Sequence, residues 1–327
     1  MVDIGEAKVV VLGTGGTIAG TASTAGDNVG YTAAQVTVRD LLAAIPGLPR
    51  ALGGRQLVTE QVAQVDSKDM SVAIWRDLAA RCLHWLQDSS VQGIVITHGT
   101  DTLEETAWFL QTLLNPRKPV VLTCAMRPST ALAPDGPQNL LDAVAAALDP
   151  AARGVLAVCA GVVHGAEAVR KVDPYRLDAF DSGDAGPLGF VEEGRVRWVN
   201  LLPEMPKASV TRTSDAVRSI LDRSDWPWVE LISSHAGASG AMVDLLVQGG
   251  VQGLVVIGTG NGTVHHELEG ALLSAAEQGI AVVRATRCPQ GCILPTSKDR
   301  LPHSNGLSPV KARVSMMLDL LGAQRAH

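Results

Sequence analysis

Short apolar runs alternate with longer amphipathic stretches through the first half of the chain. Aliphatic and β-branched residues fill the runs at residues 9–12, 93–97, 119–124 and 154–160. Continuous apolarity, rather than strict alternation, is typical of strands buried on both faces of a parallel sheet. A further strand is predicted at residues 57–65. Between the strands, apolar residues at helical spacing predict helices at residues 33–45, 75–85, 103–114 and 137–148.

The regular order of strand and helix predicts an α/β fold, with helices on both faces of a parallel sheet. After residue 160 the pattern changes, and residues 162–172 and 189–199 predict hairpin strands. A second set of parallel strands is predicted at residues 228–233, 253–257 and 280–284. The final helix is expected to begin near Ser308 and Pro309.

These elements predict two α/β domains joined by a linker rich in proline and polar residues. The larger N-terminal domain has a parallel sheet with a hairpin extension, and the C-terminal α/β domain is smaller. We place the boundaries at residues 1–204, 205–226 (the linker, around a short helix) and 227–327.

The composition excludes several classes of protein. The 327 residues are 46% hydrophobic and 18% charged, which suits a globular chain with a large core. A net charge of -6 without a basic run excludes a nucleic-acid partner, because phosphate binding requires clustered Lys and Arg. The sequence predicts no membrane span. Its start shows no signal peptide, so we expect a cytoplasmic protein, or a periplasmic one if a leader was removed.

The five cysteines do not form a metal-binding pattern. Cys82, Cys124 and Cys159 lie within apolar elements and are expected to be small buried side chains. Cys288 and Cys292 are expected to be free and reduced, and the alternatives are a disulfide or half of a metal site. No second ligand pair has zinc spacing. We therefore expect neither a metal nor a cofactor.

The first strand leads into a glycine-rich turn that carries a candidate nucleophile. Gly13, Gly15 and Gly16 precede Thr17, and loops that leave the carboxyl ends of parallel strands are where ligands bind. The alternative is a phosphate-binding turn. However, the full G-x-G-x-x-G spacing is not met, because Ile18 and Ala19 separate Gly16 from Gly20.

A second hydroxyl-bearing loop contains Thr100 and Asp101. It is expected at the same sheet edge as Thr17, and either threonine could attack a carbonyl once a lysine or tyrosine activates it. A Ser–His–Asp type of triad is disfavoured, because His98 is predicted to face away. In the structural alternatives, Asp101 or Thr102 is a helix cap, Ser67 is a cap, and Lys171 is a surface side chain.

Several motifs occur in a fixed order and carry a family resemblance: GTGGTIAG, VDSKDM, THGTDTLEET, CAMRPST, DGPQNL and GTGNG. Together they resemble the L-asparaginase/glutaminase family of threonine amidohydrolases, particularly its bacterial high-affinity (type II-like) branch. The resemblance extends from Val9 to Leu321, and the two threonine motifs are long and specific. It implies a larger N-terminal and a smaller C-terminal α/β domain, in agreement with the predicted organisation.

The resemblance also implies catalytic roles. Thr17 is expected to be the primary nucleophile, and Tyr31, on the mobile loop of residues 21–31, its activating partner. Thr100, Asp101 and Lys171 resemble the family's second Thr–Asp–Lys set. In that set, the hydroxyl and the ammonium organise proton transfer through a water molecule.

The remaining implied roles concern the substrate. Ser67 and Asp101 are expected to hold its α-carboxylate and α-ammonium, with Asp66 beside them. The Ala125 carbonyl would receive the leaving amide nitrogen, and main-chain N–H groups near Gly16 and Thr100 would stabilise the oxyanion. Asn261 of the second domain would be offered to a neighbouring subunit's site.

Two departures from the family pattern affect the substrate preference. The branch usually carries a Glu in a loop of the second domain, and no Glu follows Glu277 in this chain. Ser297 or Asp299 is the expected substitute. Lys68 follows Ser67 where several members have Gln, which would place a cation near the substrate carboxylate.

The expected function is hydrolysis of L-asparagine to L-aspartate and ammonia. The enzyme would be a homotetramer, a dimer of dimers with sites at subunit interfaces. L-Glutamine is the alternative substrate, because one methylene is discriminated by only ~1–3 kcal/mol. An alternative of another class is a nucleotide- or sugar-phosphate-binding protein, which Asp101 disfavours because its carboxylate would repel phosphate.

Overall fold

The computed structural model describes residues 6–202 and 213–323. The chain forms two compact units, Met1–Leu221 and Asp222–His327. The predicted domain boundaries remain predictions. Residues 203–212, which include the first eight residues of the predicted linker, lie outside the described residues. The later part of that linker contains the expected short helix.

The apolar runs of the first unit form the strands of its main sheet, as predicted. The strands of this unit are β1 (Lys8–Gly15), β2 (Gln56–Val65), β3 (Val91–Thr97), β4 (Val120–Thr123), β5 (Val155–Cys159), β6 (Val162–Gly165), β7 (Arg170–Lys171), β8 (Phe180–Asp181), β9 (Gly189–Glu192) and β10 (Arg195–Trp198). Within the described residues, the main sheet has the order β10-β9-β6-β5-β4-β3-β1-β2. From β2 to β5 the neighbours are parallel, and β6, β9 and β10 extend the sheet in antiparallel fashion.

The strand order positions the candidate site. β1 pairs with β2 on one side and with β3 on the other. The chain therefore leaves β1 toward one side of the sheet to form β2 and then crosses to the other side of β1 to form β3. Ligands bind outside the carboxyl ends of strands at such a switch point. The loops that follow β1, β2 and β3 leave the sheet at this edge.

Helices cover the sheet and bury its apolar faces. In the first unit they are α1 (Val38–Ala43), α2 (Leu48–Leu52), α3 (Val72–Gln87), α4 (Leu103–Leu114), α5 (Gly136–Leu148) and α6 (Ser214–Leu221). Trp75 of α3 is buried and stacks on Phe109 of α4 at a centroid distance of 4.9 Å. Trp75 therefore belongs to the core of this unit.

Two predicted boundaries in the first unit are wrong. The helix expected at residues 33–45 begins only at Val38, because Ala34 has a positive φ of 57° and the Thr37 hydroxyl caps the helix by accepting the Asp40 N–H. The strand expected at residues 162–172 ends at Gly165. After a turn that is closed on the Gly165 carbonyl, β7 pairs with β8 in a separate two-stranded sheet.

The second unit has the smaller parallel sheet that the sequence predicts. Its elements are β11 (Val229–Ser233), α7 (Ala241–Gln248), β12 (Gly253–Gly258), α8 (His266–Glu277), β13 (Ala281–Thr286) and α9 (Pro309–Ala323). The strands are parallel in the order β11-β12-β13. α9 begins at Pro309, in agreement with the predicted start.

The cysteines are free in the structure. The three expected in the core are buried, and Cys124 Sγ lies 3.1 Å from Cys159 Sγ. Cys288 is partly exposed and Cys292 is exposed. Over residues 6–202 and 213–323, no cluster of three or more His, Cys, Asp or Glu side chains is arranged to hold a metal ion. In the same ranges, no helix combines the length and apolar character that a membrane crossing requires.

Candidate active site

The turns that carry Thr17 and Thr100 are in direct backbone contact. Gly16 has a φ of +81°, and a Cβ atom on it would lie 2.3 Å from the Gly99 Cα atom. Only glycine permits both this conformation and this approach. The Gly16 N–H donates to the Val65 carbonyl at the end of β2, over 2.9 Å. The loops that follow the neighbouring strands β3, β1 and β2 therefore lie together at one edge of the sheet. The sequence predicts this for the loops of Thr17 and Thr100.

Thr17 is paired with Tyr31 on the loop that follows it. Thr17 begins a single 3₁₀ turn, is only 6% exposed, and its Oγ1 lies 2.5 Å from Tyr31 Oη. Thr21 and Thr32 exchange two backbone hydrogen bonds of 2.9 Å, which close the base of the loop. The Tyr31 ring lies against Gly20, where a Cβ atom would be 2.9 Å from Tyr31 Cδ2. The expected pair is thus formed.

Thr100, Asp101 and Lys171 form a second hydrogen-bonded group. Lys171 Nζ donates to Thr100 Oγ1 over 2.8 Å and to Asp101 Oδ1 over 2.6 Å. The Lys171 side chain is 18% exposed and that of Asp101 is 52% exposed. The alternative of a solvated surface lysine is therefore wrong for Lys171. Thr102, not Asp101, is the N-cap residue of α4, and its hydroxyl donates to the Ser67 carbonyl instead of capping the helix.

Ser67 is fixed against the Thr100 loop rather than capping α3. Its Oγ accepts the Asp101 N–H over 3.1 Å, and the side chain is almost fully buried. The residue that caps α3 is Ser71, which accepts the Ile74 N–H. Because Ser67 Oγ is used here as an acceptor, its hydroxyl proton remains able to bind a carboxylate.

Asp66 and Lys68 form an ion pair beside Ser67. Lys68 Nζ lies 2.7 Å from Asp66 Oδ2, and the hydrogen bond with this carboxylate raises the pKa of Lys68. Asp66 also accepts the Lys68 backbone N–H. The positive charge of Lys68 is therefore partly neutralised by Asp66 in the same turn.

Ala125 is fully buried in the loop of the CAMRPST motif, two residues after the end of β4. Ser129 in this loop donates to the Gly20 carbonyl through its N–H (2.9 Å) and its hydroxyl (2.7 Å). The loop is thereby attached to the end of the Thr17 turn. Sequence reasoning missed Asp135, which holds the backbone of this loop; the DGP pattern before α5 was the available signal.

His98 is a buried structural residue beneath the Thr100 loop. Its Nδ1 lies 2.7 Å from the Gly99 carbonyl, and its Nε2 lies 2.9 Å from Thr106 Oγ1. A carbonyl only accepts, so Nδ1 carries the proton and Nε2 accepts from Thr106. Burial lowers the pKa of His98 to about 4. With both nitrogens occupied, His98 is unable to act as the base for either threonine.

Asn261 and Ser297 belong to the second unit. The Asn261 side chain holds Leu294 through two hydrogen bonds, from Nδ2 to the carbonyl (2.9 Å) and from the backbone N–H to Oδ1 (2.8 Å). Ser297 is exposed in the turn that Thr296 and Asp299 close. These contacts fasten the loop that lacks the family's usual Glu.

Asp299 is engaged within the same loop. Its carboxylate accepts the Thr296 N–H and hydroxyl and pairs with Arg284, which is only 6% exposed, at 2.9 Å. The Thr296 N–H is the main cause of a lowered pKa for Asp299. Of the two expected substitutes for the Glu, Asp299 is therefore held by contacts within its own loop, whereas the Ser297 side chain is exposed.

Comparison with known proteins agrees with this arrangement. Residues 8–203 match the model of the N-terminal asparaginase domain, and residues 228–326 match the glutaminase/asparaginase C-terminal domain. The chain is 36% identical to L-asparaginase 2 of Escherichia coli (strain K12), over 96% of this chain and 88% of that protein. It is 34% identical to glutaminase-asparaginase of Pseudomonas fluorescens biotype A, over 97% and 87% of the two chains.

A solved structure shows the same architecture. The crystal structure of a probable cytoplasmic L-asparaginase from Campylobacter jejuni has a TM-score of 0.88 and 34% identity, and the match covers 96% of this chain and 95% of that one. The match includes both units. From these domain matches and from relatives that align over nearly its whole length, the chain belongs to the asparaginase family of amidohydrolases.

Proposed function

We propose that this enzyme hydrolyses L-asparagine to L-aspartate and ammonia, with Thr17 as the nucleophile. The observation that carries the proposal is the pairing of Thr17 Oγ1 with Tyr31 Oη at 2.5 Å, in a buried turn next to the Thr100–Asp101–Lys171 group. A nucleophile, a proton-accepting partner and a second polar group are thus available at one sheet edge.

In the first step, Thr17 Oγ1 attacks the carbonyl carbon of the substrate's side-chain amide. Its proton passes to Tyr31 Oη while Tyr31 gives its own proton to the amide nitrogen, so the C–N bond breaks, ammonia leaves and an acyl-enzyme ester remains. Water then attacks the ester, which releases L-aspartate and restores Thr17. The main-chain N–H groups near Gly16 and Thr100 would stabilise the oxyanion, an effect on the order of 10²–10³-fold per donor in other enzymes.

Lys171 and Thr100 would organise the transfer of protons through a water molecule. The 2.8 Å hydrogen bond from Lys171 Nζ orients the Thr100 hydroxyl, because the lysine donates and leaves the hydroxyl proton directed elsewhere. The ion pair with Asp101 holds the ammonium in place. This arrangement supports a positioning role for Lys171 in the water-mediated step.

The zwitterionic end of asparagine requires groups of both charges. Asp101 would bind the α-ammonium, and the Ser67 hydroxyl would bind the α-carboxylate, with Asp66 close by. The half-exposed Asp101 carboxylate and the free hydroxyl proton of Ser67 support these roles. Fixing both ends of the substrate holds the side-chain amide against Thr17.

L-Glutamine is the alternative substrate. Relatives named as glutaminase-asparaginase support it, and one methylene gives only ~1–3 kcal/mol of discrimination. The deciding experiment measures ammonia release from L-asparagine and L-glutamine side by side. A higher kcat/KM for asparagine supports the proposal, and equal values would establish a glutaminase-asparaginase. Nucleotide binding without ammonia release from either amide would overturn both.

We further propose a homotetramer built as a dimer of dimers, in which Asn261 and Ser297 complete a neighbouring subunit's site. We also propose a cytoplasmic location. The C. jejuni relative's description and the free cysteines, which suit a reducing compartment, support that location. Light scattering of the purified enzyme tests the tetramer, and cell fractionation tests the location against a periplasmic one.

A further inference from the structure

The carboxylate of Asp135 lies behind the loop that begins at Ala125. Its Oδ2 accepts the Met126 N–H over 2.9 Å, and its Oδ1 accepts the Arg127 N–H over 2.9 Å. Asn139, which is 3% exposed, donates to Asp135 Oδ2 over 3.1 Å and to the Cys124 carbonyl over 3.0 Å. Both oxygens of one carboxylate are thus directed at consecutive peptides of this loop.

Asp135 does not perform the usual task of an acidic residue at its position. It is the N-cap residue of α5, where an Asp side chain ordinarily accepts an N–H of the first helical turn. Here the side chain makes no capping hydrogen bond. Its two oxygens instead hold the backbone of the preceding loop, so this residue serves the loop rather than the helix.

The peptide between Ala125 and Met126 connects this carboxylate to the opposite side of the loop. The described peptides are trans, and in a trans peptide the C=O and N–H bonds point in opposite directions. When Asp135 fixes the Met126 N–H, it therefore fixes the direction of the Ala125 C=O. A charged acceptor on the N–H also polarises the peptide, which makes its carbonyl oxygen a stronger acceptor.

The turn of Asp135 packs against the turn of Thr17. A Cβ atom on Gly136 would lie 2.8 Å from Ile18 Cγ1 and 3.5 Å from Ala125 Cβ. Ser129 ties the far end of the loop to the Gly20 carbonyl. Two contacts therefore hold the Ala125–Met126 peptide next to the turn of Thr17. One is the packing of the Asp135 turn against Ile18, and the other is the hydrogen bond from Ser129 to the Gly20 carbonyl.

We propose that Asp135 is a positioning residue that aims the Ala125 carbonyl at the leaving nitrogen of the substrate and strengthens it as an acceptor. The inference rests on the proposed function and on the role that the family resemblance implies for this carbonyl, which is to receive an N–H of the amide. It deepens that function, because Asp135 would then promote the hydrolysis of amides more than the hydrolysis of esters. An ester of the same acid has no N–H on its leaving group, so the oriented carbonyl has nothing to accept from it.

The test compares L-asparagine with L-aspartate β-methyl ester for the wild-type enzyme and for Asp135→Asn. An amide side chain has one acceptor oxygen, so it loses one of the two N–H contacts and the charge. Since a displacement of about 1 Å near a reacting group costs ~10²-fold, we expect kcat/KM for asparagine to fall about tenfold or more. For the ester we expect a decrease of less than about threefold.

Asp149→Asn is the matched control. Asp149 lies at the opposite end of α5, and its carboxylate also accepts a backbone N–H, that of Ala151, over 2.9 Å. This variant should leave the amide-to-ester ratio unchanged. Asp135→Ser is the second variant, because serine is a favoured N-cap residue and preserves the start of the helix. It should lower the ratio as Asp135→Asn does.

The outcomes separate the inference from the function on which it rests. If the wild-type enzyme releases ammonia from asparagine and both Asp135 variants keep the wild-type amide-to-ester ratio, the positioning role is wrong and the proposed function stands. This includes the case in which both variants lose activity equally on the amide and the ester, which would indicate a purely structural role. A wild-type enzyme that releases no ammonia from L-asparagine or from L-glutamine would overturn the proposed function itself.

Discussion

Lys171 Nζ lies 2.6 Å from Asp101 Oδ1, although 70 positions separate the two residues in the sequence. The lysine belongs to a two-residue strand outside the main sheet, and the aspartate follows β3 of that sheet. The same ammonium donates to Thr100 Oγ1. One cation therefore holds two side chains of the THGTDT motif, and its loss would release both.

Removing the Thr17 hydroxyl should abolish turnover without unfolding the protein. Thr17→Ala is expected to reduce kcat to background, and Tyr31→Phe to reduce it about 10²–10⁴-fold, because the proton of Thr17 then lacks its acceptor. Steady-state ammonia release measures both effects, and thermal unfolding checks the fold. Substantial activity in Thr17→Ala would transfer the nucleophile's role to Thr100.

Replacing Lys171 should impair catalysis more than an equivalent ion pair elsewhere. Lys171→Met is expected to lower kcat by about 10²-fold or more, because Thr100 loses its donor and the ammonium no longer assists proton transfer. Lys8→Met is the matched control, since Lys8 pairs with Asp88 at 3.0 Å at the start of β1. The role assigned to Lys171 is wrong if both variants keep wild-type kcat.

Asp101 should mainly affect binding of the substrate. Asp101→Asn removes the charge that would face the α-ammonium, so KM for asparagine is expected to rise about tenfold or more. Initial-rate kinetics at saturating and limiting substrate separate KM from kcat. An unchanged kcat/KM would show that another group holds the ammonium.

His98 should make the protein less stable in acid. Burial lowers its pKa to about 4, whereas the unfolded chain has the ordinary value of about 6.5. The unfolded state therefore binds a proton first, so the contribution of His98 is complete above pH 6.5 and decreases as the pH falls toward 4. The decrease amounts to about 3 kcal/mol in the free energy of unfolding.

His98→Gln isolates this effect, because glutamine does not titrate. Denaturant unfolding at several values between pH 7 and pH 4 should show the stability difference between wild type and variant shrinking as the pH falls. His235→Gln, at an exposed histidine, serves as the control. A difference that stays constant over this range would contradict the assigned cause.

The loop of Ser297 offers a separate test of the substrate-binding role. Ser297→Ala should weaken asparagine binding and leave the free energy of unfolding unchanged, because the side chain is exposed. Asp299→Asn should instead destabilise the second unit, since Arg284 loses its partner in a buried position. Unchanged KM in Ser297→Ala would remove that residue from the site.

The sequence by itself determined where the chemistry is presented. Continuous apolar runs and glycine-rich turns are local signals, and they correctly located β1 and β3 together with the loops of Thr17 and Thr100. The rule that parallel strands end at one sheet edge then brought these loops together. The motifs added the pairing with Tyr31 and the participation of Lys171, which the geometry of the described residues supports.

Only the tertiary structure decided which partner each polar group selects. The local pattern would allow Asp135 to cap α5, yet its carboxylate accepts the Met126 and Arg127 N–H groups. Likewise, the Asn261 side-chain amide donates to the Leu294 carbonyl. Such choices depend on which backbone N–H and C=O groups the folded chain brings within hydrogen-bonding distance. Residues far apart in sequence supply those groups, and the periodicity of a segment contains no information about them.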